Sequence, residues 1–247
     1  MEFLDPFIRM LESIASPAQI RAIAGGAPVA PLLERVDAAG YLDALVPEHH
    51  GGAGLSLAEG FHLFHALGKF LLPDEVAETI MTRGVGVVSA EENRQIGAVV
   101  VSAMIAGASD RILAMSIDHA SQRVQFGKPI AKQQAVQQQL AVMAEQVVMA
   151  RISAQIGCSH GLIPPMEVAA IAKQGASRAA VQIAAIAHAV HGAIGISDAY
   201  DLGLYTRRLH IWRSAHGSES YWAGQLGRVR LATSGLATTD YLRGLTR

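Results

Sequence analysis

One cysteine, Cys158, stands in 247 residues. No disulfide can form within the chain, and a reducing, cytoplasmic setting is the expectation. Charge is scarce and nearly balanced, 20 basic residues against 21 acidic, and no dense basic run occurs. That excludes broad attraction to nucleic acid or to an acidic membrane surface. A basic leader is also lacking, since M-E-F-L-D-P-F-I-R-M places Glu2 and Asp5 before any apolar run, unlike a secretion signal. The longest apolar stretches, Ile96 to Ala108 and Val181 to Val190, are short or punctuated, so no membrane span is expected. No period-two alternation marks a strand, and no repeat of fixed period is visible. What is present is a hydrophobic fraction of 51%, rich in Ala, Val, Ile and Leu, in a chain long enough to bury a substantial core. These features point to a packed helical protein.

Capping and breaking residues divide the chain. Residues 1 to 24 pattern as a short amphipathic helix interrupted around Pro17, and Leu32 to Ala39 as a helix stopped by Gly40. Ser56 with Glu59, and Ser89 with Glu92, are spaced as capping boxes that start new helices. The first of these helices ends before Pro73, and a short helical pattern follows from Asp74 to Thr82. A long apolar helix is expected from about Ala90 to Gln122, with small residues such as Gly97, Ala103 and Gly107 that admit a close neighbour. A second helix runs to about Cys158 and carries a stripe of Val136, Leu140, Met143, Val147, Ala150 and Ala154. A third starts at Met166 or Glu167, and a fourth, interrupted at Gly203 or Gly217, covers much of Tyr200 to Thr233. The expected fold is all-α: a small N-terminal helical region, residues 1–84, and a C-terminal antiparallel four-helix bundle, residues 90–247.

Between the first two long helices lies a tight corner, R-V-Q-F-G-K-P-I-A-K. Gly127 and Pro129 break the helical pattern, and Arg123, Lys128 and Lys132 surround the break with positive charge. Such a corner suits an anion, or else its cations cap a helix C-terminus. Five glutamines between positions 133 and 139 read as a solvated helix face, although they adjoin the corner. Glu59 and His62 have a Glu-x-x-His spacing without a second copy, and the pairs His62/His65 and His188/His191 lack further ligands, so no metal centre is expected. Cys158 reads as a small buried hydrophobe.

Three segments resemble the acyl-CoA dehydrogenase family. The corner and the Gln-Ala helix after it are similar to that family's Arg-x-x-Phe-Gly-x-x-Ile motif. A-V-H-G-A-I-G-I is similar to its Gln-x-His-Gly-Gly-x-Gly-Phe segment, and V-P-E-H-H-G-G-A-G to its amino-terminal Pro-Glu-x-x-Gly-Gly-x-Gly motif. The three occur in the family's order. The resemblance implies FAD as cofactor, its phosphates and adenine held by Arg123, Phe126 and Gln134, often across a subunit boundary, with Gly192 and Gly195 admitting close backbone approach. An Arg fork suits a pyrophosphate, and glycine leaves room for it.

Two departures qualify the resemblance. The family inserts a β-barrel-like domain, which supplies most contacts to the flavin ring, between its helical domains; here only T-R-G-V-G-V-V-S separates Met81 from Ala90. The family's base, a Glu that removes the proton beside the thioester carbonyl, falls at His216, and its less common location falls near Gly97 and Ala98. Neither is acidic, and the Gln before His-Gly is Ala189. His216 can serve as a base in principle, because an unperturbed imidazole titrates near neutral pH, and Glu219 lies one turn on; alternatively both belong only to a helix start.

The resemblance therefore implies an oligomer built through the bundle, as in the family's dimers of dimers. In heteromeric members of steroid-degradation type, one chain lacks the base, and D-A-Y-D-L-G-L-Y-T-R-R-L is similar to theirs. The expected function is that of a companion subunit, sharing FAD with a full-length acyl-CoA dehydrogenase during α,β-dehydrogenation of an acyl-CoA. A non-enzymatic helical scaffold that has lost FAD is the alternative, and a complete dehydrogenase acting alone is a third.

Overall fold

The computed structural model describes residues 3–245, so Glu2 and the outermost positions of both expected regions lie outside the described residues. The N-terminal region comprises α1 (Leu4–Ile14), α2 (Pro17–Ala24), α3 (Ala30–Ala38), α4 (Leu57–Lys69) and α5 (Asp74–Val85). Ser16 caps α2 just ahead of Pro17, where the ring's missing N–H has no cost. The chain leaves α3 through Gly40 at φ 79°. Both expected capping boxes form: Ser56 and Glu59 start α4, and Ser89 and Glu92 start the next long helix, each serine oxygen accepting from the glutamate's N–H and each carboxylate returning to the serine's.

That helix, α6 (Ala90–Gln122), is the axis of the molecule. It is followed by a hairpin of β1 (Val124–Gln125) and β2 (Lys128–Pro129), then α7 (Gln134–Cys158), α8 (Met166–His191), α9 (Leu202–Trp212), α10 (Glu219–Ala232) and α11 (Thr238–Leu245). The chain is all-α apart from the hairpin, and α6, α7, α8 and α10 make a four-helix bundle. The expected fourth helix is two: the break falls at His216–Gly217, both at positive φ, while Gly203 lies inside α9. The last helix carries too few apolar residues to announce itself and buries none.

Alpha6 buries residues on every side, from Ile96 to Ser109 without interruption, because α4 and α5 cover one flank and the bundle the other. Glycines set the spacing. A Cβ at Gly107 would lie 1.8 Å from the His65 carbonyl oxygen, and one at Gly68 2.0 Å from that of Met104, so α4 and α6 touch backbone to backbone. One hydrophobic core runs from Phe7 and Phe64 through Val99 and Ala176 to Trp212 and Trp222. It crosses the join between residues 84 and 90.

Two helices, α6 and α8, are long and apolar enough to cross a membrane by length and composition, where the sequence reading expected none. The apolar character of α6 has a use within the fold, since its most apolar window is 83% buried, whereas that of the α8 segment is 44% buried. A helix apolar all round is what the centre of a bundle requires.

Candidate functional site

The basic corner and the His-Gly turn meet at one end of the bundle. The His119 and His191 rings stack at 4.5 Å, joining the last turns of α6 and α8, with Tyr200 tilted against His191 at 5.2 Å and edge-on to His119 at 6.3 Å. Beside them Ala120, Ile130 and Val190 form a small apolar cluster of their own. Burial lowers the pKa of both histidines, which keeps the stacked pair neutral. Two segments far apart in sequence are thereby fixed as one surface.

The corner itself is a hairpin, registered Val124 with Pro129 and Gln125 with Lys128. Phe126 and Gly127 take φ of 53° and 76° at its tip, the pairing a tight two-residue hairpin turn requires. The Ile130 N–H donates to the Arg123 carbonyl at 2.8 Å and closes the base. A pair of two-residue strands is too short to show alternation, which is why the sequence reads only as a break. Phe126 is 91% exposed. Arg123, Lys128 and Lys132 make no ion pair and Gln134 no side-chain hydrogen bond among the described residues, so the corner offers unspent cations and an unpacked ring. Gln134 begins α7, and its exposed side chain lies at the positive end of that helix.

Gly192 has φ 61° and ψ −141°, a conformation nearly restricted to glycine. A Cβ there would meet nothing within 4 Å, so its backbone is open to a ligand. Gly195 differs: it is buried, and a Cβ would press at 3.0 Å on His191 and Leu202. Its small size serves packing within the turn. Ala189 is exposed and offers no polar group. The corner and Gly192 thus fit the diphosphate and adenine portion of a dinucleotide, whereas Gly195 shapes the turn behind them.

The second constellation lies toward the start of α6. Gly97 carries the His216 imidazole directly above it: a Cβ on Gly97 would be 2.3 Å from His216 Nδ1. His216 is held in the left-handed region at φ 55°, and its carbonyl accepts from Trp222 Nε1 at 3.0 Å. The ring lines a cavity of about 60 Å³ with Ala77, Met81, Val100, Met104 and Trp212. Asp74 is also on its wall, engaged by Trp212 Nε1 at 2.7 Å and Arg208 at 3.0 Å. Burial, and then the positive charge of Lys173, lower the His216 pKa, and Asp74 opposes them. The imidazole is therefore neutral near pH 7, the form in which it can take a proton. Glu219, at the start of α10, gives its carboxylate to Arg213 at 3.0 Å.

Lys173 escaped the sequence reading. It lies one residue past Ala172 in an apolar stripe and looks like an ordinary solvated lysine, yet it is fully buried. Elsewhere, Glu59 is committed to its capping box, and His65 pairs with Asp110 at 2.8 Å. No group of three metal-ligating side chains occurs among the described residues. The buried Cys158 thiol is pushed up to about 12 by burial and is unreactive at neutral pH.

Comparison with known proteins places this geometry. The acyl-CoA dehydrogenase IpdE2 of Mycobacterium tuberculosis is 34% identical over 113 residues, 46% of this chain and 35% of that protein. The short-chain-specific acyl-CoA dehydrogenase of Megasphaera elsdenii is 33% identical over 49% of this chain and 32% of its own. The chain spans about a third of the length of these curated relatives. Among solved structures, a chain of the ChsE4–ChsE5 complex from Mycobacterium tuberculosis superposes with a TM-score of 0.76 at 14% identity, over 95% of this chain and 97% of that one. A chain of the steroid acyl-CoA dehydrogenase Tcur3481–Tcur3483 does so with 0.77 at 15% identity, over 94% and 97%. At such identities the likeness is one of fold. The family model for the acyl-CoA dehydrogenase C-terminal domain matches residues 84–230, more than half of the sequence, and the chain belongs to the acyl-CoA dehydrogenase family.

Proposed function

We propose that this chain is the companion subunit of a hetero-oligomeric acyl-CoA dehydrogenase, which catalyses α,β-dehydrogenation of an acyl-CoA thioester. Arg123, Phe126, Gln134 and the Gly192 turn would hold the adenine and diphosphate of an FAD whose ring is held mainly by a full-length partner. Bound FAD supplies the hydride acceptor of such a reaction. The observation that carries the reading is the near end-to-end superposition on chains of two proteins, one described as a complex and the other as a steroid acyl-CoA dehydrogenase. Only residues 86–89 separate α5 from α6, which leaves no room between those two helices for an inserted flavin-ring domain.

Distance supports sharing across subunits. Gly97, under His216, and Arg123 are separated along α6 by roughly 39 Å at 1.5 Å per residue. One chain thus presents the corner and the His216 cavity at opposite ends of its longest helix, and the corner faces a cofactor seated on a neighbour. In this reading Arg123 contributes a planar fork to phosphate oxygens, Phe126 a face for adenine, and Gly192 open backbone. In the same reading His216, whose neutral imidazole lines a cavity, would be the proton acceptor on this chain, and Glu219 would bear on it only indirectly, through the turn that Arg213 begins.

The test is co-expression with each full-length acyl-CoA dehydrogenase of the source organism in turn, followed by size-exclusion chromatography and flavin absorbance. A stable complex with more bound FAD than the partner alone is expected. No complex and no gain in FAD overturns the reading. One observation favours a non-enzymatic scaffold as second reading: about 60 Å³ at His216 is far below the several hundred cubic ångströms of ordinary ligand pockets. A complex whose turnover is unchanged by His216→Ala is the outcome that supports it for this site.

A further inference from the structure

Lys173 has no exposed surface, lies outside the basic corner, and lines none of the cavity at His216. Its three ammonium protons are all spent: Nζ donates to Ser177 Oγ at 2.9 Å, to the Trp212 carbonyl at 2.9 Å and to the Arg213 carbonyl at 2.8 Å. Ser177 Oγ reaches the same Arg213 carbonyl at 3.3 Å. The last carbonyls of α9 have no succeeding helical turn to donate to them, and the buried cation on α8 takes that role. Three residues further on, the chain enters the left-handed region at His216 and Gly217. Trp222 Nε1 then fixes the His216 carbonyl, and Gly97 receives the ring.

We infer that Lys173 is a positioning residue for His216: by clamping the end of α9 from inside the bundle, it sets the strained turn that lays the imidazole over Gly97 and into the cavity. The alternative for a buried cation, simple helix capping, does not require a lysine drawn fully out of water, since burying a charge is costly unless every donor is used. Its functional meaning rests on the reading of His216 as the proton-accepting group. The groups facing His216 are Lys173 from α8, Arg94 from α6, and Asp74 from α5. Glu78 of α5 lies on the cavity wall, and Arg213 and Glu219 flank the ring along its own segment. Of these, Lys173 alone both carries a positive charge and holds the backbone of the turn.

The experiment uses the whole chain without partner or flavin, labelled with 15N-histidine, with the His216 imidazole assigned by His216→Gln. Lys173→Met and Lys173→Gln are compared with wild type for the His216 titration and for the nuclear Overhauser contact between its ring and the Gly97 α-protons. The expected result is loss of that contact and a His216 midpoint higher by about half a pH unit or more, roughly threefold in proton affinity. A folded variant that keeps both the contact and the wild-type titration overturns the inference. If neither variant folds, Ser177→Ala loosens the ammonium without removing it. Weakening of the contact there supports the clamp, and an unchanged contact overturns it. Turnover of His216→Ala in the assembled complex tests the functional reading separately, so the failure of one is distinguishable from the failure of the other.

Discussion

Gly97 and His216, which resemblance marks as two alternative positions for the family's catalytic base, are in contact: a single methyl added to Gly97 would fall 2.3 Å from the His216 ring. Neither residue is acidic, and the glycine makes room for the imidazole. Gly97→Ala must therefore expel or tilt the ring in a packed site. It is expected to destabilise the chain by about 1–3 kcal/mol, the usual range for overpacking. In His216→Ala the obstruction is gone, so adding Gly97→Ala to that background is expected to cost less than about 0.5 kcal/mol. Urea denaturation of the four proteins in a double-mutant cycle reads the coupling. Additive effects would show that the two residues do not touch in solution.

The buried ammonium of Lys173 gives the stability a definite pH dependence. Burial lowers its pKa from 10.5 to about 7. The unfolded chain then binds more protons than the folded one between those values, and stability rises with pH across that window. Below about pH 7 both states carry the proton and the burial cost is fully present. The window is best read from pH 7 to 8.5, because the Cys158 thiol, raised from 9.0 to about 12, pulls the other way at higher pH. Relative to Lys173→Met, wild type is expected to gain roughly 1.5 kcal/mol between pH 7 and 8.5. A difference that stays flat in chemical denaturation would mean that the ammonium is not desolvated.

The legible parts of this fold were those with local chemistry. Ser89 and Glu92 sit three apart ahead of an apolar run and start α6 where expected, and Gly40 takes the positive φ its position after a helix end suggested. The small residues of α6 also announced close approach, although not that Gly107 would meet the His65 carbonyl of α4. What stayed hidden depends on residues far apart in sequence. Nothing in the sequence around Lys173 marks it as buried, because its acceptors, the Trp212 and Arg213 carbonyls, lie some forty positions on. Gly195 resembled a nucleotide-facing glycine, but a Cβ added there would press on His191 and Leu202. The corner was legible as a break with cations. Its junction with the Gly192 turn needed the His119–His191 stack, which no spacing rule encodes.

At that junction Gly192 carries a conformational constraint. Its φ of 61° and ψ of −141° are costly for any residue with a Cβ, by about 1–3 kcal/mol, although the space beside it is open. Gly192→Ala is expected to lower stability by that amount in the isolated chain, measured by thermal or urea unfolding. Flavin content of the co-expressed complex is expected to fall as well, because the methyl projects where the nucleotide is proposed to lie. Arg123→Ala separates the two effects: its exposed side chain has no intramolecular partner among the described residues, so it is expected to leave stability within about 0.5 kcal/mol of wild type while lowering flavin content.

Alpha7 bears two apolar faces. Met143, Val147, Ala150 and Ala154 are in the core, but Val142, Val148, Met149 and Ile152 on the other side are between 41% and 52% exposed. Ala141 and Ala144 lie beside them in a shallow, almost wholly apolar groove. A stripe at this spacing, left uncovered on a long bundle helix, is the kind of surface that a subunit contact covers. In the isolated chain Val148→Asp and Met149→Asp are expected to change stability by less than about 0.5 kcal/mol, since both sites already meet water. Where α7 is the face covered in an assembly, each places a carboxylate in an apolar contact without a partner, a cost of several kcal/mol. Light scattering with size-exclusion chromatography is therefore expected to show a shift toward smaller species for both variants, with circular dichroism unchanged. Retention of the wild-type assembly by the double variant would mean that the subunits meet through a different face, and the exposed side of α10, where Leu231 is 89% exposed, is the next surface to substitute.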